Sequence, residues 1–550
     1  MHTAGGHGSS STRSRYAIPP NEPILGYKKG SPERVALEKE LSRQRSTVLD
    51  IPMVIGGQEV RSGQTGNVVI PHEHKHVVAT YHKAGAEHVK MAIDSALKAR
   101  ETWAKMPIDD RLAIFMKAAD LLASPTWRSR INAATILGQS KNYFQAEIDA
   151  ACELIDFLRF NVHYAAGLFD PQPTSSPGVW NRLTYRPLEG FVYAITPFNF
   201  TAIGGNLTTA PAMLGNVVVW KPSDYAVLSN YYVLQLLKEA GLPDGVINFI
   251  PGNPVEITDL LLSDPHFAGI HYTGSTEVFR AIYKKIGSHL DSYRSYPRIV
   301  GETGGKGFVF AHKSADVEAL ATALIRGAYE FAGQKCSAAS RAYIPSSIWG
   351  KLKDRLIEKM KEVKMGSPED PTVLVNAVIH EGAFNRCKQH IDLAKEKAEI
   401  VFGGKCDKSK GYFVEPTLIL TKDPHYYSLI TEIFGPILTV YVYEDDQYIE
   451  TLKLCDTATE YSLTGSIFAQ DREALVTADH YLENASGNYY INDKPTGAVV
   501  GQQPFGGARG SGTNDKAGSH LNLLRWLNAR TIKETFVPPH DVLYPYMREQ

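Results

Sequence analysis

The sequence lacks any run of about 18 consecutive apolar residues, so it offers no membrane-spanning helix. It also lacks a charge imbalance. The 58 Lys and Arg residues oppose 59 Asp and Glu, for a formal net charge of −1. A nucleic-acid binder shows a basic excess or a basic face, so this balance argues against that class. Cysteine is scarce, with five in 550 residues. Cys152, Cys336, Cys387, Cys406 and Cys455 form an odd set without a CxxC pair. That excludes a disulfide framework and fits a reducing compartment. Cys387 and His390 have a spacing compatible with metal ligation, but no partner pair stands nearby. We read them as the surface of a helix, with no metal. The common dinucleotide fingerprint GxGxxG is missing from the α/β stretch described below, and no internal repeat is evident.

Acidic residues are also missing from the first twenty positions, MHTAGGHGSSSTRSRYAIPP. Arg13, Arg15 and several serines give this segment the composition of a mitochondrial transit peptide, without the apolar core of a secretory signal. A flexible tail is the alternative.

What is present is an α/β pattern long enough for two or three domains. Val89, Ala92, Ile93, Ala96 and Leu97, then Ile114, Ala118, Leu121 and Leu122, recur at helical spacing, and a helix is expected over 145–160. The stretch 169–190 is rich in Pro, Ser and Gly and breaks that pattern. From 190 to 275 short apolar runs alternate with helical ones: FVYAIT (191–196), NVVVWKPSD (216–224), GVINFIPG (245–252) and GIHYTGS (269–275). Such alternation predicts a parallel sheet covered on both faces, with ligands beyond the carboxyl ends of its strands. The segments PFNF, KPSD, PGN and GSTEVF each follow one of those strands. Gly274 and Ser275 open a helix whose free N–H groups suit a phosphate. A second α/β unit runs from about 301 to 515.

Cys336 stands in AGQKCSAAS, among small residues that leave room for a ligand. Lys335 adds charge nearby, and CSAASRA can begin a helix whose N–H groups favour a thiolate. A thiol nucleophile needs an oxyanion donor and a base. Asn199 in PFNF and Glu302 in the glycine-flanked turn GETGGKGF are the candidates.

PFNF, YTGSTEV, GETGGK, GQKCSA, EIFGPIL and PFGGARGSG stand in the order found in the aldehyde dehydrogenase superfamily, which the chain resembles from about residue 50 onward. Within it, NEPILGYKKGSPERVAL, AEIDAACELIDFLRFN and YINDKPTGAVVGQQPFGG are similar to the branch formed by mitochondrial Δ1-pyrroline-5-carboxylate dehydrogenases. The resemblance implies a Rossmann-type NAD-binding domain (21–168 and 190–300), an α/β catalytic domain (301–515) and a small β flap for oligomerisation (169–189 and 516–550). It implies a homodimer in the mitochondrial matrix, without a membrane span or nucleic acid, that oxidises L-glutamate γ-semialdehyde to L-glutamate with NAD in proline catabolism. Another semialdehyde dehydrogenase, or a non-catalytic protein on this fold, are the alternatives.

The same resemblance assigns roles. Cys336 is the nucleophile, Asn199 and the Cys336 N–H hold the oxyanion, and Glu302 activates water. Thr196, Lys221 and Ser223 face the adenosine ribose, Gly274 and Ser275 the pyrophosphate, and Glu432 with Phe434 the nicotinamide ribose. Pro197, Phe198, Gly252 and Thr303 complete the cofactor set. Phe200 and Phe505 are walls of the substrate pocket, with Ser337 and the amides of Gly497 and Ala498 at the head group. Asp224, in place of a more usual glutamate, is expected near the ribose 2′-hydroxyl, where it favours NAD over NADP. Gly307 and Phe279 depart from the residues many relatives carry.

Overall fold

The computed structural model describes residues 16–548, so most of the transit-like segment lies outside the described residues. Two seven-stranded sheets organise the chain. In the first, the strands Arg298–Glu302, Phe267–Thr273, Phe191–Ile195, Val217–Lys221 and Ile247–Phe249 lie side by side and parallel. An antiparallel hairpin, Met53–Ile55 with Gln58–Val60, closes one edge. The strand Val217–Lys221 is buried along its whole length, as a strand covered by helices on both faces must be. Helix Val227–Ala240 ends on Gly241 in the left-handed region at φ 101°, where glycine avoids the Cβ clash.

The second sheet runs Glu399–Phe402, Thr417–Thr421, Ile437–Tyr443, Ala339–Pro345, Gly307–Ala311, Thr464–Phe468 and Asn488–Ile491. Its strands are parallel except at the Glu399–Phe402 edge. The first sheet leaves the carboxyl ends of its parallel strands free for a site, and the second sheet turns toward it the segments that precede Ala339–Pro345, Ile437–Tyr443 and Thr464–Phe468.

The domain limits differ from the sequence reading in two places. The strand Arg298–Glu302 belongs to the first sheet, so residues 301 and 302 do not open the second unit. Val500, Leu523 and Trp526 pack in the core of the first body, so the chain returns to it before residue 515. The strands Val179–Pro187 and Leu527–Thr535 pair antiparallel over nine residue pairs and form a separate two-stranded flap.

The helix expected over 145–160 is helical throughout, but Glu147–Glu153 is wound as a π-helix. Such turns insert an extra residue and are frequent at functional sites. Glu147, fully buried there, is bound by Arg128, by Asn132 at 2.9 Å and by the Tyr27 hydroxyl at 2.6 Å. Cys387 is not on a helix surface: it is 0% exposed and its sulfur packs against Gly435. His390 instead stacks on Tyr427, with ring centroids 5.0 Å apart. Among the described residues no cluster of His, Cys, Asp and Glu is grouped to hold a metal.

A fully buried ion pair locks the helices under the first sheet. Lys141 reaches Asp149 at 2.7 Å, both side chains being 0% exposed. Asp149 also accepts the N–H groups of Thr201 and Ala202, at 3.0 and 2.9 Å, in the first turn of helix Thr201–Met213. Lys141→Met leaves that carboxylate without its cation. The expected loss is about 3–5 kcal/mol of stability, read as a lowered urea midpoint; an unchanged midpoint would show that the pair is not a support of the fold.

Candidate active site

The carboxyl ends of the first sheet's strands and the amino ends of the second sheet's strands face one cleft of about 1220 Å³. The first body contributes Thr196, Pro197, Phe198 and Asn199 after one strand, Lys221 and Ser223 after the next, and Gly274 and Ser275 after a third. Thr303 follows the strand Arg298–Glu302. The second body contributes Cys336, Glu432 and Phe434. Gly252 does not line the cleft; it forms a bridge with Ala84 behind it.

Cys336 does not begin a helix. It lies between the short turn Glu330–Gly333 and the strand Ala339–Pro345. The alanine-rich sequence after it enters the sheet beside Gly307–Ala311, so sheet pairing overrides its helical propensity. Phe331, Ala332 and Gly333 all hold positive φ, at 52°, 51° and 66°. Two consecutive non-glycine residues in that region store strain, a common feature of ligand sites. Lys335 does not serve the sulfur either. Its ammonium turns to Glu330, 3.4 Å away and buried with it.

The need for small residues is steric. A Cβ on Gly305 would come 2.1 Å from the carbonyl oxygen of Cys336, and one on Gly333 would come 2.3 Å from that of Gly435. The GETGGK, AGQKC and EIFGP segments thus touch backbone to backbone. Gly307 continues the same packing, because a Cβ there would lie 2.4 Å from the Ala338 carbonyl oxygen. Phe279 has a comparable account: its ring covers Gly301 and stacks on Tyr272, with centroids 5.2 Å apart.

The thiol of Cys336 is raised above its ordinary range, first by burial and then by the charges of Glu302 and Glu432. The N–H groups of Cys336 and Ser337 act the other way by donating toward the sulfur. The residue keeps part of its surface open to the cleft. Asn199 donates one amide hydrogen to the Gln334 carbonyl at 3.1 Å, which pins the side chain and leaves its second hydrogen free. Glu302 is the last residue of its strand rather than part of a turn. Burial raises its carboxyl well above the ordinary range, Asp515 adds to that, and Lys516 opposes it. Its Oε2 is buried without a hydrogen-bond partner among the described residues.

The cleft has the features a dinucleotide needs. Ser275 caps helix Thr276–Ser288 by accepting the Val278 N–H, and the helix N-terminus opens onto the cleft. Val255 and Val278, 68% and 50% exposed, form apolar walls that a flat ring can cover. Glu432 accepts the Gly305 N–H at 2.8 Å, and Phe198 meets Phe434 edge to face at 5.9 Å. Thr196 accepts from the Trp220 indole at 2.9 Å. Asp224 does not line the cleft: it faces Lys221, 3.4 Å away, and Tyr81.

The proposed substrate residues lie outside this cleft, beyond Cys336. Ser337 shares a 2.7 Å hydrogen bond with Thr496, which brings the 496–503 loop next to the cysteine. Gly497 and Ala498 are exposed and half-buried. Phe505 bridges to Ala517, and the Phe200 ring lies 3.9 Å below the Lys141 ammonium.

Sequence reading missed Glu153, in the π-helical turn. Burial, reinforced by Asp149, pushes its carboxyl up to about 8. Its side chain keeps part of its surface and has no hydrogen-bond partner among the described residues. It also missed Gln334, whose carbonyl holds Asn199 and whose side-chain oxygen takes the Ile379 N–H at 2.9 Å. Arg386 was a third omission: it fixes the EIFGP segment through the Ile433 carbonyl at 2.8 Å. Gln334 stands inside GQKCSA but acts through Asn199 and Ile379, and Arg386 acts through Ile433, partners that the sequence does not place beside them.

A raised carboxyl is protonated at a higher pH than usual, so the basic form of Glu302 increases as the solution becomes alkaline. Any step needing that base should accelerate with pH and level off only above the ordinary carboxylate range. Glu302→Gln should retain a first burst of product while steady turnover falls about 10²–10⁴-fold. Stopped-flow traces across pH check both; an intact steady rate in the variant would remove Glu302 from the chemistry.

The sequence pattern of the Aldehyde dehydrogenase family matches residues 59–532. The chain is 55% identical, over 97% of its length and 97% of the relative's, to a protein of Dictyostelium discoideum named delta-1-pyrroline-5-carboxylate dehydrogenase, mitochondrial. It is 49% identical to the human protein of that name, over 96% of this chain and 94% of the other. The solved structure of delta-pyrroline-5-carboxylate dehydrogenase from Mycobacterium tuberculosis bound with NAD superposes with a TM-score of 0.94 at 50% identity, covering 98% and 99% of the two chains. The chain belongs to the aldehyde dehydrogenase family.

Proposed function

We propose that the protein oxidises L-glutamate γ-semialdehyde, the hydrolysed form of Δ1-pyrroline-5-carboxylate, to L-glutamate in proline catabolism, using NAD. The observation that supports this best is the position of Cys336. Its sulfur borders the cleft that suits a dinucleotide, while its neighbour Ser337 joins the loop with unpaired amides. The amides of Gly497 and Ala498 have no acceptor among the described residues. They and the Ser337 hydroxyl suit the carboxylate of an α-amino acid head. Phe200 and Phe505 flank a short aliphatic chain.

In this reading the thiol of Cys336 gives up its proton to solvent, and its sulfur adds to the aldehyde carbon to form a thiohemiacetal. The free amide hydrogen of Asn199 and the Cys336 N–H hold the developing oxyanion. NAD, when bound, accepts the hydride. Glu432 and the Thr276–Ser288 N-terminus orient it, and Phe198 and Phe434 form one side of its slot. Glu302 takes the proton from the water that hydrolyses the resulting thioester.

Mitochondrial placement follows the naming of the relatives, and we assign the matrix from the Arg- and Ser-rich start of the sequence. The two-stranded flap, with Trp180 and Phe536 exposed, suits a second copy and hence a homodimer.

Steady-state NADH formation tests the reading. The value of kcat/KM for Δ1-pyrroline-5-carboxylate should exceed those for succinic semialdehyde and propanal, and Cys336→Ala should abolish all three. Asn199→Ala should lower kcat about 10²–10³-fold. Better use of another aldehyde would overturn the substrate assignment and leave the chemistry; full activity of Cys336→Ala would overturn the chemistry.

A further inference from the structure

The motif NEPILGY, residues 21–27, has no part in the chemistry above. The structure sets it against the loop that follows Thr496. The Asn21 side-chain nitrogen donates to the Val500 carbonyl at 2.7 Å and to Asp156 Oδ2 at 2.8 Å. Its Oδ1 accepts from Gln502 Nε2 at 2.8 Å. Both hydrogens of that amide and its oxygen are therefore engaged. The next N–H, of Glu22, donates to Asp156 Oδ1 at 2.8 Å.

The arm that presents Asn21 is itself firmly held. The Glu22 carboxylate takes Arg128 at 2.6 Å and Arg159 at 2.7 Å. The Leu25 N–H and the Tyr27 hydroxyl reach the buried Glu147 at 2.9 and 2.6 Å. The loop, in contrast, has few anchors of its own. Thr496 is tied to Ser337, Val500 is buried, and Gly501 sits so close to the Phe160 ring that a Cβ would fall 2.2 Å from it. Gln503 bonds, among the described residues, only back to Val499, within the loop. One end of the loop is thus fixed beside Cys336 and the other by the Asn488 bond to the Pro504 carbonyl and the Phe505–Ala517 bridge, while the stretch between them, at Val500 and Gln502, is tied to the arm through Asn21.

We propose that Asn21 is a positioning residue of the substrate site: by clamping Val500 and Gln502 it holds the Gly497 and Ala498 amides in register with Ser337, and so sets preference for an aldehyde bearing an α-amino acid head. The proposal rests on the reading that this loop binds that head. A segment just past a transit-like sequence, far from Cys336 along the chain, becomes a specificity determinant. The clamp acts on the head group and not on the aldehyde carbon, so its loss should appear in KM and not in the reactivity of the sulfur.

The test compares the full chain with Asn21→Ala. Loss of the clamp should raise KM for Δ1-pyrroline-5-carboxylate about tenfold, the worth of one or two net hydrogen bonds. Saturated kcat, KM for NAD, and kcat/KM for propanal should each change less than about twofold, within the error of the same hydrogen-bond reckoning. Amide hydrogen exchange at residues 497–503 should quicken, with helix Leu154–Gly167 unaltered. Equal losses for both aldehydes and for NAD, or unchanged exchange in the loop, would overturn the clamp. If the wild-type chain shows no preference for the semialdehyde, the substrate reading falls, and loop exchange still decides the clamp. If Asn21→Ala does not fold, Gln502→Ala removes one exposed bond of the same set and should show a smaller rise in the same KM; no rise would overturn the proposal.

Discussion

The site depends on one close approach, that of the backbone at Gly305 to the carbonyl of Cys336, where an added Cβ would stand 2.1 Å from the oxygen. Two sheets from separate cores meet there. The first supplies Glu302 and Asn199 from the ends of parallel strands, and the second supplies Cys336 from the start of one. No Cβ can be accommodated at Gly305 or Gly333, so glycine is required at both contacts. The strained backbone at Phe331 and Ala332 belongs to the same constraint, because it turns the chain sharply enough to bring residue 336 to the contact.

Close packing also sets the electrostatics. Burial is the first cause of the raised Cys336 thiol, the raised Glu302 and Glu432 carboxyls and the lowered Lys306 ammonium, which moves to about 7. Each shift favours the neutral form. The two carboxylates beside the sulfur then disfavour a thiolate further. A site at rest in this state is not a free reagent. Its reactivity depends on what enters the cleft: a cationic ring near the sulfur opposes the field of the carboxylates, and the N–H groups of Cys336 and Ser337 already point at it. The same logic protects the thioester, since Glu302 acts only once its proton is gone.

Much of this was legible in the sequence because it is local. FVYAI and VVVWK are continuous apolar runs of strand length, and the residues after them had to lie at strand ends. Motif order revealed the family. What was not legible depends on distant partners. Lys335 stands next to Cys336 in sequence and turns away in space, to Glu330. CSAASRA has helical propensity, and pairing with Gly307–Ala311 makes it a strand. Asp224 stands in KPSD next to Lys221, and only the structure shows that it pairs with that lysine. Glu153 carries no signal in the sequence, and only the π-helical turn sets it near Asp149. The return of Val500 and Trp526 to the first core is likewise invisible to periodicity.

The central claim is that the packed junction holds the Cys336 thiol protonated in the absence of ligands. The pH dependence of its alkylation by iodoacetamide, followed by mass spectrometry with NAD and aldehyde absent, tests this directly. The account predicts a midpoint above the ordinary thiol value of 9.0, lowered when Glu432 is replaced by Gln. A midpoint at or below the ordinary value, indifferent to that replacement, would contradict it.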